Sequence, residues 1–507
     1  MTNTPDAHRG STAEELTNRL WEYCGLLRDR GLATIEYAEQ LTYLLLLKMA
    51  DEQSRQLERR ALAFGEPEAA HLVVPPECGW ESLTRLRGKA LRDGHRQALA
   101  HLSAQDRGTT FETVFADAKS RIHDAGLLEK LIADLIRPVE WTSLQPDVLG
   151  SAYEFLLEKG TNEVRSGAGQ FFTPRPLVDA IVTVIQPQLA DTVTDPACGT
   201  GGFLIAAHQY LQKHIPGGPY GRRGHDLGPG RIWGQELVPR TAGLAAMNLL
   251  LHGLGSIDGP SLVTVGDALA EPPSRRASLV LSHPPFGTRQ ALPHAGTPLA
   301  DGRYRRADFP FPTANKQINF LQHIMSVMDA PGRGAVILPD NVLFEPNAEP
   351  VRHHLLHEFD FHTLLRLPTG IFFAGGVKAN VLFFEKDRQS AAAGPRTSQL
   401  WVYDLRSGSR FSPGRNPLQR THLDDFVQAY LPGRPRTERR DTERFRAFGV
   451  DELLQRDHLN LDLWWGHDPS EDPGSLLPPE QIAQDIVADL QAALGEFEAL
   501  ASAVRKG

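Results

Sequence analysis

Apolar residues fall into three textures along the chain. From residue 12 to about 159 they recur at helical spacing: Ile35, Ala38, Leu41, Leu45 and Met49 lie three and four apart, and Val148, Ala152, Phe155 and Leu156 repeat the pattern. Such stripes predict a helical domain whose apolar faces form its core, with a partner surface on the same domain as the alternative. From about 167 to 386 short β-rich runs alternate with helical stretches, and strands are predicted at 192–194, 232–235, 263–265, 278–282, 334–338, 363–367 and 380–384. Several of these runs are apolar throughout, as strands buried on both faces tend to be. Strand and helix alternating in this way predict an α/β sheet wound with helices on both sides. The Gly/Pro-rich stretch 216–230 reads as an exposed insertion.

After about residue 387 the texture turns Arg- and Pro-rich, with PGRPRTERRDTERFR at 432–446. A solvated charged face is the ordinary reading of such a run, and a phosphate-contacting surface the alternative. A last helix is predicted after Pro478-Pro479, with Ile482, Ile486, Leu490, Leu494, Phe497 and Val504 along one face. A face that apolar must dock, on its own domain or on a partner helix.

Composition narrows the class. The chain has 507 residues, 41% hydrophobic and 23% charged, which suits a large core and roughly two to four domains. The textures place domains at 1–160, 161–390 and 391–507. Cys24, Cys78 and Cys198 lie too far apart for a disulfide framework or a cysteine zinc site, and no metal site is expected. The longest apolar run, around Leu44 to Leu47, is far short of the ~20 residues a membrane helix needs. The start MTNTPDAHRG lacks a secretory pattern, so a soluble, cytoplasmic protein is expected. The net charge of −9 argues against DNA binding over a broad surface of this chain alone. Contacts with DNA would come from local patches or from a partner subunit.

Four elements carry candidate chemistry. In TDPACGTGGF, at 194–203, a short strand runs into Gly199, Gly201 and Gly202 at the start of a helix. Without side chains there, a ligand can approach the main chain closely. This is neither the G-x-G-x-x-G dinucleotide fingerprint nor a phosphate loop, since no Lys-Ser/Thr follows. The next two strands end in Glu236 and Asp267, and ligands of open α/β sheets bind beyond the carboxyl ends of strands. A carboxylate at the first of these ends can accept from ribose hydroxyls, and one at the second from an exocyclic amine, so together they specify an adenosine-like ligand. The fourth element, His283-Pro284-Pro285-Phe286, ends an apolar strand with a rigid extended backbone and a flat apolar ring.

Seven stretches in one order, GAGQFFTPRPLV, TDPACGTGGFLIAA, GQELVPRTAGLAAMNLLLHG, SHPPFG, ANKQINFLQHIM, LPDNVLF and RLPTGIFFAGGVKANVLFFEK, resemble the modification (methylase) subunit of type I restriction–modification systems. The resemblance runs from about Leu32 to Lys386, and the C-terminal helix fits it more loosely. It implies an S-adenosyl-L-methionine-dependent methyltransferase fold, Rossmann-like and doubly wound, with a helical N-terminal domain and a helical C-terminal tail. It implies methyl transfer from S-adenosyl-L-methionine to N6 of adenine in DNA. By position, Gln170, Phe171, Phe172, Thr173, Pro174 and Arg175 would cover the methionine end of the cofactor. Asp195, Thr200, Gly201 and Gly202 would lie beneath it, Glu236 would hold the ribose, and Asp267 would face the cofactor adenine. His283, Pro284, Pro285 and Phe286 would be catalytic: the target adenine is flipped out and stacked on Phe286, and its amine is held by the side chain before Pro-Pro and by the Pro284 carbonyl. The implied partners are double-stranded DNA, a specificity subunit seated on the tail, a second methylase copy and, often, a restriction subunit.

One residue departs from the pattern: the family has Asn where this chain has His283. Asn supplies a carbonyl acceptor, whereas a neutral imidazole offers one acceptor and one donor, and a charged one no acceptor at all. Two readings follow: an active methyltransferase with His283 as acceptor, or a catalytically silent scaffold that binds cofactor, DNA and specificity subunit. The first predicts activity lost as pH falls through the His pKa, about 6.5 when unperturbed. Arg289, Arg303, Arg305 and Arg306, in the loop after Phe286, are candidates for DNA phosphates, with solvated surface charge the commoner case. His208, His252 and His323 occur singly, without metal-ligand spacing, and read as structural.

Overall fold

In a computed structural model the described residues are 13–30, 32, 34–64, 74–104, 108–163, 173–214, 230–286, 297–298, 304–372, 377–388, 394–406, 411–412 and 416–465. The chain forms two compact units: Met1–Glu163 with Cys198–Ile205 and Gly228–Gly266, and Val164–Ala197 with Ala206–Leu227 and Asp267–Gly507.

The first unit is mostly helical. Its long helix, Thr34–Phe64, is buried on every side from 37 to 50, so the stripe expected there is in fact a whole surface. A helix that is apolar all round sits inside a core, and here the helices Ala13–Asp29 and Pro146–Glu163 cover it. The charged groups carried inward are paired. Glu39 accepts from Arg240 at 2.6 Å and from the Tyr43 hydroxyl at 2.8 Å. Glu52 takes Lys48 at 2.9 Å and the Thr142 backbone N–H at 2.8 Å. Strands β2 (Ile232–Glu236) and β3 (Val263–Val265) pair in parallel, and the helix Pro239–Leu251 that follows β2 buries Leu244, Met247 and Leu251 in the same core.

The second unit is built on a sheet. Its strands are β1 (Val193–Asp195), β4 (Ala277–Ser282), β7 (Met328–Pro339), β8 (Asp360–Leu367), β9 (Ala379–Lys386), β10 (Gln399–Asp404) and β11 (Phe445–Gly449), with β5 (Thr297–Pro298) and β6 (Tyr304–Arg305) forming a separate two-residue hairpin. Across this unit the order is β11-β10-β8-β9-β7-β4-β1. Pairs β1–β4, β4–β7 and β8–β10 are parallel, while β9 runs antiparallel to both neighbours and β11 to β10. The helices Arg175–Ile185, Lys316–Val327 and Glu349–Glu358 belong to this unit.

Two strands, β10 and β11, lie in the Arg/Pro-rich texture and were not among the predicted ones. The charged run also differs from its expected solvated face. Arg439 is buried, donating to the Tyr430 carbonyl at 2.9 Å and the Thr363 hydroxyl at 2.9 Å while its guanidinium lies 4.3 Å from the Tyr430 ring centre. Arg436 reaches Asp360 at 2.6 Å. Arg434, Arg440 and Arg446 are exposed as expected. The insertion 216–229 and the C-terminal helix after Pro478 lie outside the described residues. Among those residues, no helix is long and apolar enough to cross a membrane.

Candidate active site

In the second unit, β4 delivers Ser282 fully buried and His283 half-buried. Ser282 donates to Asp195 Oδ1 at 2.7 Å, and the same oxygen accepts from the Ala197 backbone N–H at 3.0 Å. This ties the end of β1 to the residue just before His283. The imidazole of His283 stands in an aromatic corner. Its centroid is 4.9 Å from Phe286 and 4.9 Å from Phe372, and those two rings meet edge to face at 5.6 Å. Its Nδ1 lies 2.8 Å from the Thr173 hydroxyl. Burial pushes the His283 pKa down to about 3, with no charged group contributing. The ring is therefore neutral at physiological pH and keeps one acceptor nitrogen.

Nearby on this unit, Pro174 precedes the helix Arg175–Ile185. Arg175 is engaged by its neighbours, donating to Asp179 at 2.8 Å and to Gln209. Asp267 is half-buried, and its Oδ1 accepts from the Leu269 backbone N–H at 2.9 Å, which fixes the turn after β3.

In the first unit, Gly199 has φ +54 and Gly201 φ +86, left-handed conformations that glycine adopts without strain. A Cβ on Gly202 would meet nothing within 4 Å, so open space lies beside the main chain where the helix Gly202–His214 begins. Asn248 donates to the Thr200 carbonyl at 2.9 Å and holds the turn from behind. Glu236, at the end of β2, is buried. One carboxylate oxygen accepts from the Gly199 N–H at 3.1 Å and the other from the Val238 N–H at 3.0 Å.

A family model described as N-6 DNA Methylase matches residues 144–461. The chain belongs to that family. An HsdM N-terminal domain model matches residues 16–135. The type I restriction enzyme StySPI methylase subunit of Salmonella potsdam is 33% identical, across 96% of this chain and 94% of the relative. The EcoKI methylase subunit of Escherichia coli K12 is also 33% identical, over the same shares. A chain from a structural study of complex assembly and conformational transition in the type I R-M system superposes with a TM-score of 0.73 at 26% identity, covering 98% of this chain and 99% of that one. This is a type I methylase subunit, an N6-adenine DNA methyltransferase by family, and such methylases use S-adenosyl-L-methionine.

The methylase's own residues fit that cofactor. The open main chain at Gly202 and the buried carboxylate of Glu236 at the turn are what a nucleoside with a bulky substituent needs. Of the residues expected from sequence, Thr173, Asp195, His283, Pro284, Pro285 and Phe286 share one unit with Pro174, Arg175 and Asp267, while Thr200, Gly201, Gly202 and Glu236 share the other. Gln170, Phe171 and Phe172 lie outside the described residues. Sequence reasoning missed Ser282 and Phe372. Both sit inside the quoted stretches, and Phe372 carries a signal only as an apolar residue after a turn.

Other expectations need correcting. Arg306 is no free phosphate ligand: it is buried, paired to Asp308 at 2.7 Å, donating to the Ala268 carbonyl at 3.0 Å and stacked over Phe309 at 3.8 Å. Arg305 is exposed, and Arg289 and Arg303 lie outside the described residues. The structural reading of three histidines holds: His323 bonds Arg306 through Nδ1 at 2.7 Å, His208 bonds Gln212 at 2.8 Å, and His252 Nδ1 meets the Asn248 carbonyl at 2.8 Å, all three rings being buried. The pKa of 6.5 expected for His283 is far too high for a ring packed between two phenylalanines, since desolvation disfavours the cation.

Proposed function

We propose that this methylase is active, with His283 as the side-chain acceptor for the target amine. The observation that carries the reading is the imidazole of His283, engaged by Thr173 at Nδ1 and walled by Phe286 and Phe372. An exocyclic amine is a poor nucleophile because its lone pair is delocalised into the purine. Hydrogen bonds to both amino hydrogens reshape it, so the enzyme's task is chiefly to hold it in place. In this reading His283 and the Pro284 carbonyl hold the two hydrogens, and Phe286 stacks the flipped base. Gln170 to Arg175, Asp195, Thr200, Gly201, Gly202, Glu236 and Asp267 hold the cofactor. Bound S-adenosyl-L-methionine would supply an electrophilic methyl group on its sulfonium, with S-adenosyl-L-homocysteine as the thioether left behind and one amine proton released to solvent.

The partners are double-stranded DNA, a specificity subunit that reads its sequence, a second methylase copy and a restriction subunit. An acidic chain, net charge −9, suits a division of labour in which another subunit supplies most DNA contacts. The test is single-molecule sequencing of the host genome for N6-methyladenine, with and without the gene. A split recognition motif that loses methylation on deletion supports the enzyme. No lost motif, with the specificity subunit expressed, supports the silent scaffold instead.

A further inference from the structure

Asparagine presents a carbonyl by the orientation of its amide alone, but a histidine in its place must also be held in one of two tautomers. Only the form protonated at Nδ1 leaves Nε2 as an acceptor; the other puts a donor against an amine that is itself a donor. The structure contains a device for this choice. Nδ1 is the nitrogen engaged by Thr173 Oγ1 at 2.8 Å, and two aromatic rings confine the imidazole, so the ring cannot readily swap its nitrogens. Thr173 itself stands just before Pro174, whose fixed backbone starts the helix Arg175–Ile185, so the hydroxyl is borne on an anchored element.

We infer that Thr173 is a positioning residue that fixes His283 as the Nδ1–H tautomer: Nδ1–H donates to Thr173 Oγ1, and the Nε2 lone pair is presented to the target N6–H. This rests on His283 being the working acceptor. A neutral ring is what makes the choice of tautomer matter, since the cation would donate from both nitrogens. The hydroxyl accepts with one lone pair and stays free to donate elsewhere, which a methyl group cannot imitate.

The test reads the tautomer directly, in the full-length methylase labelled with ¹⁵N-histidine, the His283 signals being assigned by their loss in His283→Asn. The expected result is the Nδ1–H form in the natural protein and in Thr173→Ser, and a shift toward the Nε2–H form in Thr173→Val. Methyl transfer by the complex with its specificity subunit should follow. At saturating cofactor, Thr173→Val lowers kcat about 10- to 100-fold, and Thr173→Ser restores it to within about threefold. In a His283→Asn background, where no tautomer exists, Thr173→Val at saturating cofactor should lower kcat by a clearly smaller factor than it does in the natural protein. An Nε2–H tautomer in the natural protein overturns the inference. So does a Thr173→Val variant whose tautomer stays unchanged. The tautomer signal needs no turnover, so a natural protein that shows the Nδ1–H form yet transfers no methyl group supports the role of Thr173 and defeats the proposed activity alone.

Discussion

The glycine turn of one unit and the histidine corner of the other solve different problems with different materials. The turn works by lacking side chains. Gly201 at φ +86 and the open space at Gly202 bring the main chain within reach of a ligand, and the one carboxylate involved, Glu236, is already satisfied by two backbone N–H groups. The corner works by one side chain, and its chemistry depends on which nitrogen of one ring carries a proton. A site made of backbone is robust to change around it but intolerant of any added atom. A site made of one imidazole tolerates changes of bulk better than changes in a neighbour's hydrogen bond. The two regions should therefore fail differently, one in binding and the other in turnover.

His283→Ala makes the sharpest cut. Removing the acceptor should lower kcat by roughly 100- to 1,000-fold, the range found when one preorganised polar partner is deleted from an active site. Cofactor affinity, measured by calorimetry, should stay within about twofold. A parallel loss of cofactor binding would place His283 in the binding machinery and erase the distinction. Gly202→Val should do the reverse. The valine side chain enters space that is open in the protein, so folding should hold while cofactor affinity falls about 10- to 100-fold through the blocked approach. A Gly202→Val variant that binds normally would show that the cofactor does not approach the chain there.

Phe372→Leu probes the wall of the corner. Phe372 is 6% exposed and its ring faces both His283 and Phe286. A leucine keeps most of the volume but not the flat surface, so the ring of His283 gains freedom. A fall in kcat of about three- to tenfold is expected, in line with the modest worth of an aromatic pair. Equal activity in Phe372→Leu would mean that Thr173 and Phe286 suffice to hold the imidazole.

How much of this was legible beforehand depends on where a residue's meaning resides. Glycines after a strand, carboxylates at strand ends and a Pro-Pro element are local signals, and residues 194–203, Glu236, Asp267 and 283–286 were singled out from them. Strands β1 to β4 were likewise found to within a residue at each end. Buried arginines defeated the same approach. Arg306 and Arg439 look like surface charge in sequence, because only the fold reveals Asp308 beside the first and the Tyr430 carbonyl and ring beside the second. Reading 432–446 as solvated charge also concealed β11, whose Phe445 and Phe448 are buried while Arg446 between them is exposed. Desolvation of His283 is similarly a property of the packed state. Its contacts come from Thr173, 110 positions earlier, and from Phe372, on a different loop.

The pH profile tests that packing with the least expected change of all. An exposed histidine acceptor would lose its lone pair as pH falls through about 6.5, and activity would drop with it. Burial lowers the His283 pKa to about 3, so the acceptor persists far below that point, and kcat should vary by less than about twofold between pH 8 and pH 5.5 on account of this group. Stability moves the other way and must be separated from the rate. His95 and His323, held neutral by burial with pKa values of about 4 and about 3, take up protons more readily in the unfolded chain. Their contribution is complete above about pH 6.5 and declines as pH falls toward those folded values. Initial rates normalised to the folded fraction distinguish the two effects. A step in normalised kcat near pH 6.5 that disappears in His283→Asn would show that the ring is solvated in the working complex, and that the aromatic corner opens when the target base enters.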